Sequence, residues 1–107
     1  MNVQDPESND SNKMVKVKLH LWDTGGQEQF RAMTNLYFRD SDAAIVCYDI
    51  SNAVSFESVN YWAGQMAQNC NRGEGNYVIA LAGNKCDVED SRKRITYRDA
   101  SDLAKNL

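Results

Sequence analysis

Two short runs of this 107-residue chain collect side chains of the kinds that handle phosphate and a base. The first, Asp23-Thr24-Gly25-Gly26-Gln27-Glu28, offers a carboxylate, two residues without Cβ and a carboxamide. A carboxylate suits a hard divalent cation that keeps much of its hydration shell, and backbone without a Cβ lets an anion come close. The second, Asn84-Lys85-Cys86-Asp87, sets a carboxamide, an ammonium and a carboxylate within four residues, donors and acceptors that can read the edge of a base. A third device, the G-x-x-x-x-G-K-[ST] turn whose amides and lysine cradle a run of phosphates, does not occur in the 107 residues.

Both runs stand where apolar segments end. Val15, Val17, Leu19 and Leu21 alternate with Lys16, Lys18, His20 and Trp22, the period of a strand buried on one face, and its end delivers Asp23. Residues 43–48 and 77–82 are continuous apolar runs, which predict strands of a parallel sheet covered on both faces. Between them Phe56, Val59, Trp62 or Ala63, and Met66 recur at helical spacing behind Ser51-Asn52, a pair suited to capping. The result is a βαβ unit. Phe30, Met33, Leu36 and Tyr37 predict a short or irregular helix over 27–38. Thr96 is placed to cap a last helix over 97–107 with Ala100, Leu103, Ala104 and Leu107 on one stripe. The expected class is α/β, a mostly parallel sheet flanked by helices, with ligands at the strand ends. Residues 1–13 are polar around Pro6 and read as a flexible N-terminal segment, leaving 14–107 as the domain.

Apolar residues make up 42% and charged residues 25%, as expected of a chain that buries a core. A net charge of −3 argues against a nucleic-acid surface, which needs clustered Lys and Arg. Arg92-Lys93-Arg94 is short, follows Glu89 and Asp90, and reads as a solvated loop. Cys47, Cys70 and Cys86 lack C-x-x-C spacing and read as reduced cytosolic thiols. His20, the one histidine, is expected on a strand face rather than in a zinc site. No stretch approaches the roughly 18–20 apolar residues of a membrane span. The C-terminal Lys105-Asn106-Leu107 offers no cysteine for prenylation, so no membrane anchor is expected in these residues.

From about Lys16 onward the chain resembles a Ras-superfamily small GTPase of the Rab branch. The resemblance rests on Lys18-Leu19-His20-Leu21-Trp22, Gln29-Phe30-Arg31-Ala32-Met33-Thr34, Tyr37-Phe38-Arg39-Asp40, Val46-Cys47-Tyr48-Asp49-Ile50-Ser51 and Gly83-Asn84-Lys85-Cys86-Asp87, in that order. Gly25-Gly26 also resembles Arf-type and Gα proteins; most Rabs carry alanine at position 25, and the extra glycine loosens the backbone there.

The resemblance implies a partial P-loop GTPase fold, GTP or GDP and Mg²⁺ as ligands, and GTP hydrolysis in vesicle traffic on the cytosolic face of endomembranes, with endocytic Rabs the nearest in pattern. It assigns Asp23 to Mg²⁺ through water, the Gly26 amide to the γ-phosphate, and Gln27 to the attacking water. Asp87 takes the N1 and N2 donors of guanine, which adenine does not present as a pair. Asn84 ties the base site to its neighbours, and the Lys85 stem lies across the base plane. Trp22 and Tyr37 match aromatic surface positions through which Rabs meet effectors, exchange factors and GTPase-activating proteins; core burial is the alternative for both. Compared with the family, the residues given include no first strand, phosphate loop, first switch, last strand or prenylated tail. Losing four phosphate-loop hydrogen bonds at roughly 1.5 kcal/mol each removes about 6 kcal/mol, over ten-thousandfold in affinity. The 107 residues alone are thus expected to bind GTP weakly or not at all. The alternative is a truncated, non-catalytic interaction protein that engages Rab partners through its second-switch surface.

Overall fold

In the computed structural model, which describes residues 1–10, 12–23, 37–71 and 76–107, the chain begins with a hairpin where the sequence suggests a flexible polar segment. β1 (Asn2–Gln4) pairs antiparallel with β2 (Met14–Lys16), Val3 opposite Val15. The boundary at residue 13 therefore falls inside one hairpin. The polar residues between the strands act as local acceptors. The Asp5 carboxylate accepts from Glu7 N (3.0 Å) and pairs with Lys13 (3.5 Å), and that of Asp10 accepts from Asn12 N (2.9 Å).

The strand expected over 15–22 stops at Lys16. Its ladder gains one more exchange, in which Met1 and Val17 each donate N–H to the other's carbonyl (3.1 and 2.7 Å), and β1 offers no further partner. Beyond it Leu19, Leu21 and Trp22 are 59, 88 and 72% exposed, and His20 is exposed in a segment without strand structure, not on a strand face. Of the helix expected over 27–38, only Tyr37 and Phe38 lie among the described residues, and both are helical.

The βαβ unit forms as the periodicities dictate. β3 (Ala43–Asp49) and β4 (Val78–Asn84) pair in parallel, in register from Ala43↔Val78 to Asp49↔Asn84, with α1 (Ala53–Asn69) as the crossover. Asn52 caps α1, its side-chain oxygen accepting from Ser55 N at 3.2 Å. Val59, Ala63 and Met66 form the buried face, with Trp62 partly buried beside them. Val59 and Met66 are wholly enclosed, each contributing about 1.5–3 kcal/mol. Val46, Tyr48, Ile50 and Val59 make one cluster, and Phe38, Met66 and Cys70 a second.

Among the described residues the sheet is covered on one face only, not both. Ala44, Val46 and Tyr48 face α1 and the core, whereas Ala43, Ile45 and Cys47 on β3, with Val78 and Ala80 on β4, are exposed. A continuous apolar run reports what a strand can bury, and no described element packs on this second face.

After a 3₁₀ turn at Asp90–Arg92, α2 (Tyr97–Lys105) starts on a reciprocal cap. Asp99 N donates to Thr96 Oγ1 (3.1 Å) and Thr96 N to the Asp99 carboxylate (2.9 Å). Ala100 and Leu103 pack on the first cluster; Ala104 and Leu107, the other half of the expected stripe, are exposed.

Candidate functional site

Parallel pairing puts the C-terminal ends of β3 and β4 side by side, Asp49 against Asn84. Asn84 closes β4, and Lys85 leaves it with φ of 66°, the one described non-glycine residue in the left-handed region. Val88 N then donates to Lys85 O at 3.1 Å, closing a turn with Cys86 and Asp87 at its centre. The Cys86 thiol donates to Gly83 O (3.4 Å), and Val88 packs on the first core cluster, so both ends of the loop are anchored. Asp87 is exposed at the tip.

Gly83 is required by close approach. A Cβ there would stand 2.8 Å from the Tyr48 hydroxyl oxygen and 3.0 Å from Ile50 Cγ2. Tyr48 cannot easily retreat, being buried with its ring edge-on to Phe56 at 5.0 Å. Burial also raises its phenol above the ordinary value of 10.0, keeping it neutral.

Asp49 is the residue that sequence reasoning missed. Its Oδ1 accepts from Ser51 N (2.8 Å) and Ser51 Oγ (2.6 Å), and its Oδ2 pairs with Lys85 Nζ at 2.8 Å. Its own N–H donates to Ser55 Oγ at 2.9 Å. The Lys85 hydrogen bond first, then those from Ser51, hold the Asp49 carboxyl at about 2. The available signal was an acidic residue ending an apolar strand two positions before a serine, but the contact with Lys85 depends on strand register.

Of the expected site residues, Asn84, Lys85 and Asp87 share this loop. Asp23 is exposed in the segment after β2, which shares no sheet with β4. Gly26 and Gln27 lie outside the described residues. Mg²⁺ is ordinarily held by one or two carboxylates plus phosphate oxygens and water. Asp23 fits that set as one carboxylate; among the described residues no cluster of three or more His, Cys, Asp or Glu is arranged for a metal. Trp22 and Tyr37 come together, their ring centroids 5.7 Å apart, and Trp22 is exposed rather than a core residue. The 90–94 segment is exposed, with Lys93 paired to Asp90 at 2.9 Å.

The Ras family model matches residues 4–107. The chain belongs to the Ras family. Its relatives put it on the Rab branch, setting aside the Arf or Gα reading of Gly25-Gly26. It is 43% identical to Ras-related protein Rab-19 of Homo sapiens over 89 residues, 83% of this chain and 39% of that protein. To Ras-related protein Rab-22A of Homo sapiens it is 43% identical over 90 residues, 84% of this chain and 44% of that protein. Ras-related protein RabQ of Dictyostelium discoideum matches at 42% over 91 residues, 85% and 43% of the two chains. The chain thus spans about two fifths of the length of these curated relatives. In this Ras-family chain β3, α1 and β4 are part of the α/β fold of P-loop GTPases, and Asn84 to Asp87 stand where β4 ends at the C-terminal edge of the sheet.

Proposed function

We propose that this chain carries the base-reading loop and second switch of a Rab-type GTP/GDP switch acting in vesicle traffic. The observation that supports it best is the anchored loop after β4, which gathers Asn84, Lys85 and Asp87 at a parallel-sheet edge. Asp87 accepts the two edge donors of guanine, and adenine leaves that carboxylate unsatisfied. The Lys85 stem covers the base, and Asn84 holds the loop to its surroundings. Asp23 holds Mg²⁺ through water, and the cation supplies charge neutralisation at the phosphates. The Gly26 amide meets the γ-phosphate, and Gln27 orients the attacking water. The 107 residues alone, without a phosphate loop, bind guanine nucleotide weakly or not at all. The longer protein works with effectors, exchange factors and GTPase-activating proteins on the cytosolic face of endomembranes, held there by prenylation.

A second reading, an interaction module that engages Rab partners without nucleotide chemistry, is favoured by one feature, the pairing of exposed Trp22 with half-buried Tyr37. Titration of the folded chain with a fluorescent guanine nucleotide and Mg²⁺, against an adenine control, separates the two. The switch reading expects weak, guanine-selective binding that Asp87→Ala weakens about tenfold or more. A folded chain with no guanine preference leaves the interaction module standing. Tight binding would instead overturn the expected deficiency.

A further inference from the structure

The contact between Asp49 and Lys85 joins the neighbouring C-terminal ends of two strands that no motif connects. Lys85 leaves β4 in the left-handed region, where a residue with a Cβ is disfavoured and persists only if its surroundings hold it. Two restraints are visible. Its carbonyl is tied by Val88 N at 3.1 Å, and its ammonium by Asp49 Oδ2 at 2.8 Å. Asp49 is itself fixed before Lys85 arrives. Ser51 occupies Oδ1 with two hydrogen bonds, Ser55 receives the Asp49 N–H, and the ladder sets Asp49 against Asn84. The carboxylate thus presents Oδ2 in one direction, and its side chain is only 19% exposed against 63% for Lys85. A lysine tied at its carbonyl and at its ammonium has its stem held toward the end of β3, although the side chain stays largely exposed.

The geometry points to Asp49 as the positioning residue for Lys85 in the base site, preorganising the lysine stem as one wall of the pocket that receives guanine. This rests on the reading of the loop as a guanine site and adds to it a residue outside the Asn-Lys-x-Asp run. An ion pair whose lysine is open to solvent contributes little to stability, so its value lies in removing the ordering cost that binding otherwise bears. The Asp49 carboxyl, held at about 2, stays ionised opposite Lys85 throughout the range in which such a site works.

The test is a double-mutant cycle on the isotope-labelled chain. GDP with Mg²⁺ is titrated to millimolar concentration against ADP and followed through the amide signals of residues 84–87. Asp49→Asn keeps the acceptor for Ser51 and removes the charge facing Lys85; Lys85→Met keeps an apolar stem and removes the ammonium. The expected result is that D49N weakens GDP about two- to tenfold with the melting temperature nearly unchanged. In the K85M background, D49N then causes no further loss. D49N binding like the wild type, or losses that simply add, overturns the positioning role while the guanine-site reading stands. A folded wild type that shifts equally with GDP and ADP overturns that reading, and the inference with it. If D49N does not fold, K85M decides alone, through the carboxyl-carbon titration of Asp49. A midpoint rising from about 2 toward the usual 3.8 supports the contact, and an unmoved midpoint overturns it.

Discussion

Tyr48 and Gly83 form the tightest fit near the site, and the glycine there serves packing, since its backbone carries no positive φ. Gly83→Ala is expected to cost about 1–3 kcal/mol, because the 2.8 Å approach to the Tyr48 hydroxyl is relieved only by moving a buried ring off Phe56. Urea unfolding of the variant checks this. Tyr48→Phe in the same background removes the closest atom but not the ring carbon at 3.0 Å, so it should restore part of the loss. Wild-type stability in G83A would show that the ring yields freely. Lys85 and Asp87 were legible in the sequence because their residue types suit their task wherever the loop lies. Asp49 was not, because its partner is fixed by a strand register that only the folded sheet supplies. Gly83 was legible as part of a motif block, whereas its reason, a phenol oxygen on the neighbouring strand, is a fact of packing.

Elements with their own core face were read well. α1 and α2 follow a helical apolar stripe, and Asn52 and Thr96 cap them as their types suggest. Elements whose pattern lacked a partner were over-read. Leu19 and Leu21 alternate as a strand should, yet alternation measures capacity to bury and not the presence of a neighbour. The β1–β2 hairpin was under-read for the opposite reason, since Asp5, Ser8 and Asp10 look alike in a loose loop and in an ordered turn. The cap of α2 carries a prediction. Backbone and hydroxyl hydrogen bonds from Thr96 lower the Asp99 carboxyl below its usual 3.8. The folded state then binds fewer protons than the unfolded one near that value. The cap's contribution is complete above 3.8 and is lost as pH falls through the lower folded value. Asp49 and Asp90 are lowered too and share this acid limb, so the diagnostic quantity is a difference. Melting curves of wild type and Asp99→Asn should converge as pH falls below 3.8 and separate above it, whereas a constant gap shows the cap to be insensitive to charge. Thr96→Ala is expected to cost about 1 kcal/mol at neutral pH.

At the scale of the molecule, the two sheets are unequal. Among the described residues, both buried clusters and the side chains packed on them lie between Phe38 and Leu103, and the β1–β2 hairpin contributes none. The radius of gyration is 16.3 Å, against about 13 Å for a compact domain of this length. Stability is therefore concentrated in the βαβ unit and α2, whose sheet, among the described residues, has two strands, two open edges and one bare apolar face. Ile45 and Val78 on that face are 69 and 65% exposed, an arrangement that favours association once concentration allows. A net charge of −3 offers little repulsion to oppose it. The purified chain is expected to self-associate at tens of micromolar, on the order expected for a modest apolar contact, with sedimentation velocity showing a mass that grows with loading. Ile45→Lys combined with Val78→Glu should return it to monomer without loss of helicity, because neither side chain belongs to either cluster. A wild type that stays monomeric across the range means the bare face is not adhesive. A double variant that associates as before moves the cause to other exposed apolar side chains, foremost Leu19, Leu21 and Trp22, which follow one another after β2.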